Sequence, residues 1–555
     1  MSAICQRKMS VGASTRELRS AKVAGRPVWA MEDGMKSHTW KWMIALSLFA
    51  ALAMPVGMAA QNNSSQNPKP KHKKYKLYDL GTFGGPGSFI NDSTNGGPFI
   101  NARGDVVGVA QNTTPLSGVS NPYECFPGPT VNHALLWHNG HSIDLGAFPP
   151  ADQNCSGSNS VGINDAGDIT FQSETGTIDP LLGVKELRSV FLRHGKAVDL
   201  GTLGGNATAS LSINNRDDVV GFALNAVPDP YSLYGVFFEG SSNSTQTRGF
   251  IWQNGSMRDL GTLGGPDTLA ALLSQSGQIA GLSYTNSIPN PTTGVPTVDP
   301  FFWERGRMID IGTLGGVFGG PNRMNNRGQV VGQSDLVGDT TFHAFLWERG
   351  VLRDLGTLGG STSQATSIND AGDVVGGADF PGDATHDAFL WRHGKMIDLG
   401  NLGNTSFARD INNSGQIVGE ASLADGTTFH PFLWENGGPM VDLNDLIPRD
   451  SPLTLRAAHV INDGGIISGN ANPPGCIGNG NCQHAFVLIP DGDCDADNEA
   501  RIAATQNRIT AEHVADANHP ARAQRGDSPL TPIERVRSMM RQHYHLPGQA
   551  AAPRD

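Results

Sequence analysis

The chain has 555 residues, 70 of them glycine, with 17% charged residues and a formal net charge of −12. Dense glycine beside a normal apolar share excludes a disordered chain, which needs fewer apolar residues and more charge per residue. The negative charge is spread along the sequence and no basic stripe forms, so nothing argues for a nucleic-acid partner.

Residues 1–60 read as an N-terminal extension ending in a signal peptide. Lys36 and Lys41 precede a charge-free apolar run, Trp42–Val56, and Gly57-Met58-Ala59-Ala60 follows it. A basic start, a short apolar middle and small residues at the exit are the layout of a secretory signal, with cleavage expected after Ala59 or Ala60. The run breaks at Pro55, short of the ~20 residues a membrane span needs, so no span is expected after cleavage. Polar residues 61–74 read as a linker.

Residues 75–490 are repetitive. His343–Gly376 is followed by a near copy, Asp387–Gly419, and weaker copies fill the rest. Three signals each occur eight times. An Asp-Leu/Ile-Gly signal begins at Asp79, Asp144, Asp199, Asp259, Asp310, Asp354 and Asp398, with Asp442 as a degenerate eighth. An Ile-Asn-x-x-Gly turn carries Asn101, Asn164, Asn214, Asn325, Asn369, Asn412 and Asn462, with Ser274 standing in once. An aromatic-aliphatic signal ends at Trp137, Arg193, Trp252, Trp303, Trp347, Trp391, Trp434 and Leu488.

One repeat holds four strand candidates: Gln364–Ile368, Asp373–Gly377, Ala388–Trp391 and Met396–Leu399. Asn369-Asp370-Ala371-Gly372 joins the first two as a tight turn in which Asn and Gly supply unusual backbone angles. The third strand is apolar on both faces, so it must be covered on both, as when sheets stack face to face. Four strands in ~40–50 residues, repeated radially, predict an all-β fold, a β-propeller of four-stranded blades. The array starts with a lone fourth strand, Tyr75–Leu80, and ends with a lone third strand, His484–Ile489. A closed ring joins them, which favours eight blades with the last one completed by the N-terminal strand; a seven-bladed ring and a β-solenoid are the competitors.

The motifs His343-Ala344-Phe345-Leu346-Trp347, Asp354-Leu355-Gly356-Thr357-Leu358-Gly359-Gly360, Ile368-Asn369 and Val374-Val375-Gly376 resemble the bacterial HAF-repeat extracellular proteins. The triplet naming that family recurs as His484-Ala485-Phe486, and partly as His133-Ala134-Leu135 and His430-Pro431-Phe432. The resemblance covers about three quarters of the chain. It implies a secreted or surface protein and no particular activity. Arg193 and Leu488 depart from it where tryptophan is expected, and Leu273-Ser274 where Ile-Asn is expected.

Asp354 and its equivalents, with His133, His343, His430 and His484, recur around the whole array. Such residues are expected to tie turns to strands by hydrogen bonds rather than to form one site. Function should lie in what breaks the repeat. From the glycine closing the second strand to the tryptophan position, blades five to seven take 15 residues; blade one takes 29 and blade three 31, with blades two and four near 22. These long loops emerge on the side of the Gly-Thr-Leu-Gly-Gly crossovers and give half the ring a raised rim. Candidate ligand-binding residues there are Tyr123, Phe126, Glu174, Asp179, Asp229, Tyr231, Tyr234, Phe238, Glu239 and Tyr284, since aromatics with carboxylates suit a sugar or a peptide.

Cys476 and Cys482 bracket a short loop and are a disulfide candidate, with Cys125 and Cys155 a second pair. Asp491, Asp493, Asp495 and Asp497 alternate like a calcium loop, but Ala496 replaces the turn glycine and Ile502 the closing glutamate, so no metal and no cofactor is expected. Residues 491–555 read as a polar tail, helical in part, with a capping box at Thr531-Pro532-Ile533-Glu534. No catalytic constellation appears. The reading is a secreted, non-catalytic repeat protein that binds an extracellular glycan or protein through blades one to four. A polysaccharide hydrolase or lyase and a structural envelope protein are the alternatives.

Overall fold

The computed structural model describes residues 72–90, 97–115, 130–147, 158–239, 244–476 and 482–491. Residues 1–71, which include the segments read as a signal and as most of a linker, lie outside the described residues, as do residues 492–555. Among the described residues eight four-stranded antiparallel units form. The fourth and fifth are joined by one parallel bridge, Val298 to Phe318, and so count as a single eight-stranded sheet.

Each unit runs up and down in chain order. In the sixth, Ser363–Ile368, Val374–Asp379, His386–Arg392 and Lys395–Asp398 pair in sequence. The third strand is a wedge, as its two apolar faces require. Phe389 and Trp391 pack with Val331, Ala344 and Leu346 of the preceding blade. Ala388 and Leu390 pack with Ala408, Ile417 and Phe432 of the following one. Burying a Phe or Leu side chain in this way is worth about 2–3 kcal/mol each, so the faces between blades hold the ring together.

The Val-Val-Gly motif has a steric cause. A Cβ on Gly376 would sit 1.8 Å from the carbonyl oxygen of Gln364. The inner strand slips register by one residue beside it, between Ala365 and Ser367, and this β-bulge drives a carbonyl onto its neighbour. The same slip recurs at Ala270/Leu272, Pro321/Arg323 and Ala408/Asp410. The turns differ from expectation in one respect. Gly372 takes the left-handed angle (φ +90°), but Asn369 does not; it acts through its side chain, accepting from the N–H groups of Ala371 and Asp373 (3.0 Å each).

The amide of each turn asparagine then donates to the backbone of the next turn. Asn101 reaches the carbonyl of Asn164, Asn164 that of Asn214, and Asn214 that of Ser274, at 3.2–3.3 Å. Asn325, Asn369 and Asn412 continue to Asn369, Asn412 and Asn462, at 3.0–3.3 Å. Asn462 donates to Asn101, 3.0 Å away and 361 residues earlier, so the circle closes. Ser274 has no amide to give, and that link keeps only the main-chain contact found beside most of the others, from Gln275 N–H to Asn326 Oδ1 (3.1 Å), as from Asn215 N–H to Gln275 Oε1 and from Asn326 N–H to Asp370 Oδ1.

The ends of the array meet as the lone strands require. Tyr75–Asp79 pairs antiparallel with His484–Pro490, Tyr75 opposite Pro490 and Asp79 opposite Phe486. Blade one is the irregular member. Its inner strand pairs as far as Phe89, and Gly97 hydrogen-bonds to blade three: its N–H donates to the Leu211 carbonyl (3.1 Å) and its carbonyl accepts from Ser212 Oγ (2.6 Å).

Candidate functional site

The lopsided rim is present. In blades two to four the second and third strands are 9–11 residues long, as in Ile169–Ile178, Val219–Pro228 and Ile279–Pro289. In blades five to seven they are 6–7 residues. In blades two and four most of the extra loop length goes into longer hairpin strands, while blade three adds a π-helical turn, Tyr234–Glu239, between its strands.

The residues expected to meet a ligand sit otherwise than expected. Glu174 is buried beside Lys185, 4.0 Å away. Asp179 caps its own hairpin turn, accepting from the N–H groups of Leu181 (2.8 Å) and Leu182 (3.1 Å). Asp229 does the same for Tyr231 (2.8 Å). Tyr234 is buried against Phe222, ring centroids 5.4 Å apart. Tyr284 is fully buried, and its hydroxyl donates across from blade four to the carbonyl of Tyr231 (2.7 Å). Asp267, which the sequence did not single out, anchors this arrangement by accepting from Leu233 N (2.5 Å) and Thr247 N (3.1 Å). Burial, and then the nearby Asp229 carboxylate, push Asp267 well above the usual carboxylate range.

The burial of these side chains has a physical reason. A hairpin raised off a sheet needs a core of its own, and tyrosine supplies area while its hydroxyl finds a backbone carbonyl. Phe238 and Glu239 fall in a π-helical turn, Tyr234–Glu239, with side chains outside the described residues. Tyr123, Phe126, Cys125 and Cys155 also lie outside the described residues. Cys476 and Cys482 are joined as a disulfide.

What the rim displays instead is aliphatic. Ile178 ends the second strand of blade two, and Val227 and Ile288 stand one residue before the ends of those of blades three and four; they are 46%, 50% and 75% exposed. Their sequence signal was available: each precedes a Pro-containing turn, as Ile178-Asp179-Pro180, Val227-Pro228-Asp229 and Ile288-Pro289-Asn290.

The repeated histidines and aspartates behave as ties. His343 Nδ1 lies 2.9 Å from the Asp354 carboxylate, which also accepts from Gly356 N (2.7 Å). His133 with Asp144, His430 with Asp442 and His484 with Asp79 repeat the pair. Arg248 with Asp259 replaces histidine by arginine. In blade two Arg188 faces Asp199, because the register puts Leu192, not Arg193, at the tryptophan position. Burial works against the Asp144 carboxylate, but the bonds from His133 and Gly146 hold it below its ordinary range. Two blades break the rule: Asp299 faces Asp310 and Asp387 faces Asp398. Burial and Asp310 push Asp299 up to about 6. Burial, with Asp398 adding to it, pushes Asp387 up to about 6 against its hydrogen bond from Asn401.

Four-stranded blades in a radial array, closed by a strand from the opposite end of the chain, define a β-propeller. No family model and no curated protein matches the sequence. Among solved structures, the chain is similar to the β-propeller domain of the trilobed protease from Pyrococcus furiosus, at 13% identity over 67% of this chain and 96% of that one (TM-score 0.35). It is also similar to dipeptidyl peptidase 4 of Porphyromonas gingivalis, at 9% identity over 69% of this chain, spanning 58% of that one (TM-score 0.41). A third similarity is to TolB from Acinetobacter baumannii, at 11% identity over 59% and 81% of the two chains (TM-score 0.28).

Proposed function

We propose that the protein is a secreted binding propeller of the HAF-repeat kind, and that the crest of blades two to four docks an extracellular protein. The carrying observation is the exposure of Ile178, Val227 and Ile288, each within one residue of the end of the second strand on three adjacent hairpins, while Tyr234 and Tyr284 are buried. Aliphatic tips favour a protein partner over a glycan, for which exposed aromatics and free polar groups are the usual equipment. The Cys476–Cys482 disulfide supports an oxidising compartment.

The test places a photo-crosslinking residue at position 288 of the secreted chain and a second, as control, at Asp463 on the opposite face. Crosslinks to one defined extracellular protein from position 288 alone are expected. They should disappear when Ile178 and Val227 are changed to serine. Equal crosslinking from both faces, or persistence in the serine variant, would refute the reading.

A further inference from the structure

The face that carries the asparagine turns, opposite the rim, breaks the repeat in a second way. In seven blades the residue four places after the turn asparagine or serine is Asp or Gln, and the residue after the tryptophan position is polar. The two usually meet. Asp105 lies 2.6 Å from His138, Asp218 2.7 Å from Gln253, Gln278 2.9 Å from Glu304, Asp373 2.6 Å from Arg392, and Gln416 2.8 Å from Glu435. In blade eight both places are apolar: Ile466 and Ile489. The strand that closes this blade breaks the pattern too. The position before its aspartate is Tyr78, where the other blades have Ile, Val or Arg.

All three departures line one cleft of about 660 Å³, at the seam between blade eight and blade one. That is within the ~300–1,000 Å³ range of small-molecule sites. One wall is apolar: Ile466, Ile489 and Tyr78, whose ring lies 5.5 Å from that of Trp137. The other is polar, with Asp105, Asn139 and His141. If the isoleucines served only to seal the ring they would be buried, but both remain partly exposed.

The charge on the polar wall is internally offset. Arg103 Nε and Nη2 both donate to Asp105 Oδ2 (3.1 and 2.9 Å), and His138 binds the other oxygen. A charged ligand would meet no unpaired partner on Asp105, so an uncharged one is favoured. We infer that this cleft binds a neutral sugar with an apolar edge, a 6-deoxyhexose unit of a glycan. The C–H face of the ring packs on Tyr78, its methyl group lies against Ile466 and Ile489, and its hydroxyls meet Asn139 and His141. The inference is independent of the rim, which lies on the other face.

Saturation-transfer NMR on the whole secreted chain tests it, with the methyl glycosides of L-fucose and L-rhamnose, methyl glucoside and 3-phenylpropionate as probes. A deoxyhexoside is expected to bind at least tenfold more tightly than the glucoside or the acid. Ile466→Asp with Ile489→Arg installs the pair that blade six uses, and should weaken deoxyhexoside binding at least tenfold at unchanged melting temperature. Asn139→Ala with His141→Ala should do the same from the other wall, should the first variant fold poorly. No deoxyhexoside binding by the wild type, stronger binding of the glucoside or the acid, or full affinity in both double variants each overturns the assignment.

Discussion

Asp299→Arg restores a basic side chain, the residue type that six of the eight blades place opposite the strand-closing aspartate. In the wild type Asp299 is partly buried beside Asp310, and its carboxyl is pushed from an ordinary 3.8 up to about 6. That is ~2 pH units at ~1.4 kcal/mol each, a ceiling of about 3 kcal/mol on the cost of keeping the charge at neutral pH. Partial solvent screening reduces this to about 1–1.5 kcal/mol, and a new pair like Arg248–Asp259 adds ~0.5 kcal/mol. The sign follows from proton linkage. The folded state holds this proton more tightly than the unfolded one, so the wild type gains stability as pH falls through about 6 and the penalty is complete only above it. Thermal unfolding followed by circular dichroism at pH 8 and pH 4.5, at one scan rate, reads the effect. The variant should melt about 1–3 °C above the wild type at pH 8 for a ring of this size, and the gap should shrink by more than half at pH 4.5. A gap that does not change with pH, or a variant less stable at pH 8, would show that the like-charge pair is not the cause.

The circle of turns gives a second prediction. Ser274→Asn supplies the missing eighth amide and should stabilise by about 0.5–1.5 kcal/mol, whereas Asn462→Ala removes a buried donor and acceptor at the closing link and should cost about 1–3 kcal/mol. Chemical denaturation midpoints measure both, and equal midpoints for Ser274→Asn and Asn462→Ala contradict the ring. Replacing Cys476 and Cys482 by serine opens a short surface loop, so the loss should stay near ~2 kcal/mol and reduction should leave the circular dichroism spectrum intact. Unfolding on reduction alone would contradict that.

Much of the architecture was legible because it was written eight times. Strand positions, the wedge role of Phe389 and Trp391, and the pairing of Tyr75–Asp79 with His484–Pro490 follow from periodicity and from the offset ends. Direction was not legible. Loop length showed that blades two to four rise above the others, but Tyr234 and Tyr284 point inward because a tall hairpin must fill its own interior, which composition does not reveal. Arg193 was placed one residue out of register, since only strand pairing shows Leu192 opposite Ile169. The seam cleft needed both kinds of knowledge. Ile466 and Ile489 are visible as exceptions in the repeat, but only the closed ring brings them beside Trp137.

The closing strand also fixes when folding can finish. Asp79 meets His484 across 405 residues of chain. At ~5–20 residues per second of synthesis, the first strand made waits roughly 20–80 s for its partner, while the sheet edge it will cover does not yet exist. Something must keep Tyr75–Asp79 from joining another edge during that interval, and proline-flanked, lysine-bearing Pro70-Lys71-His72-Lys73-Lys74 just ahead of it suits that task, since charge and proline both discourage stray strand pairing.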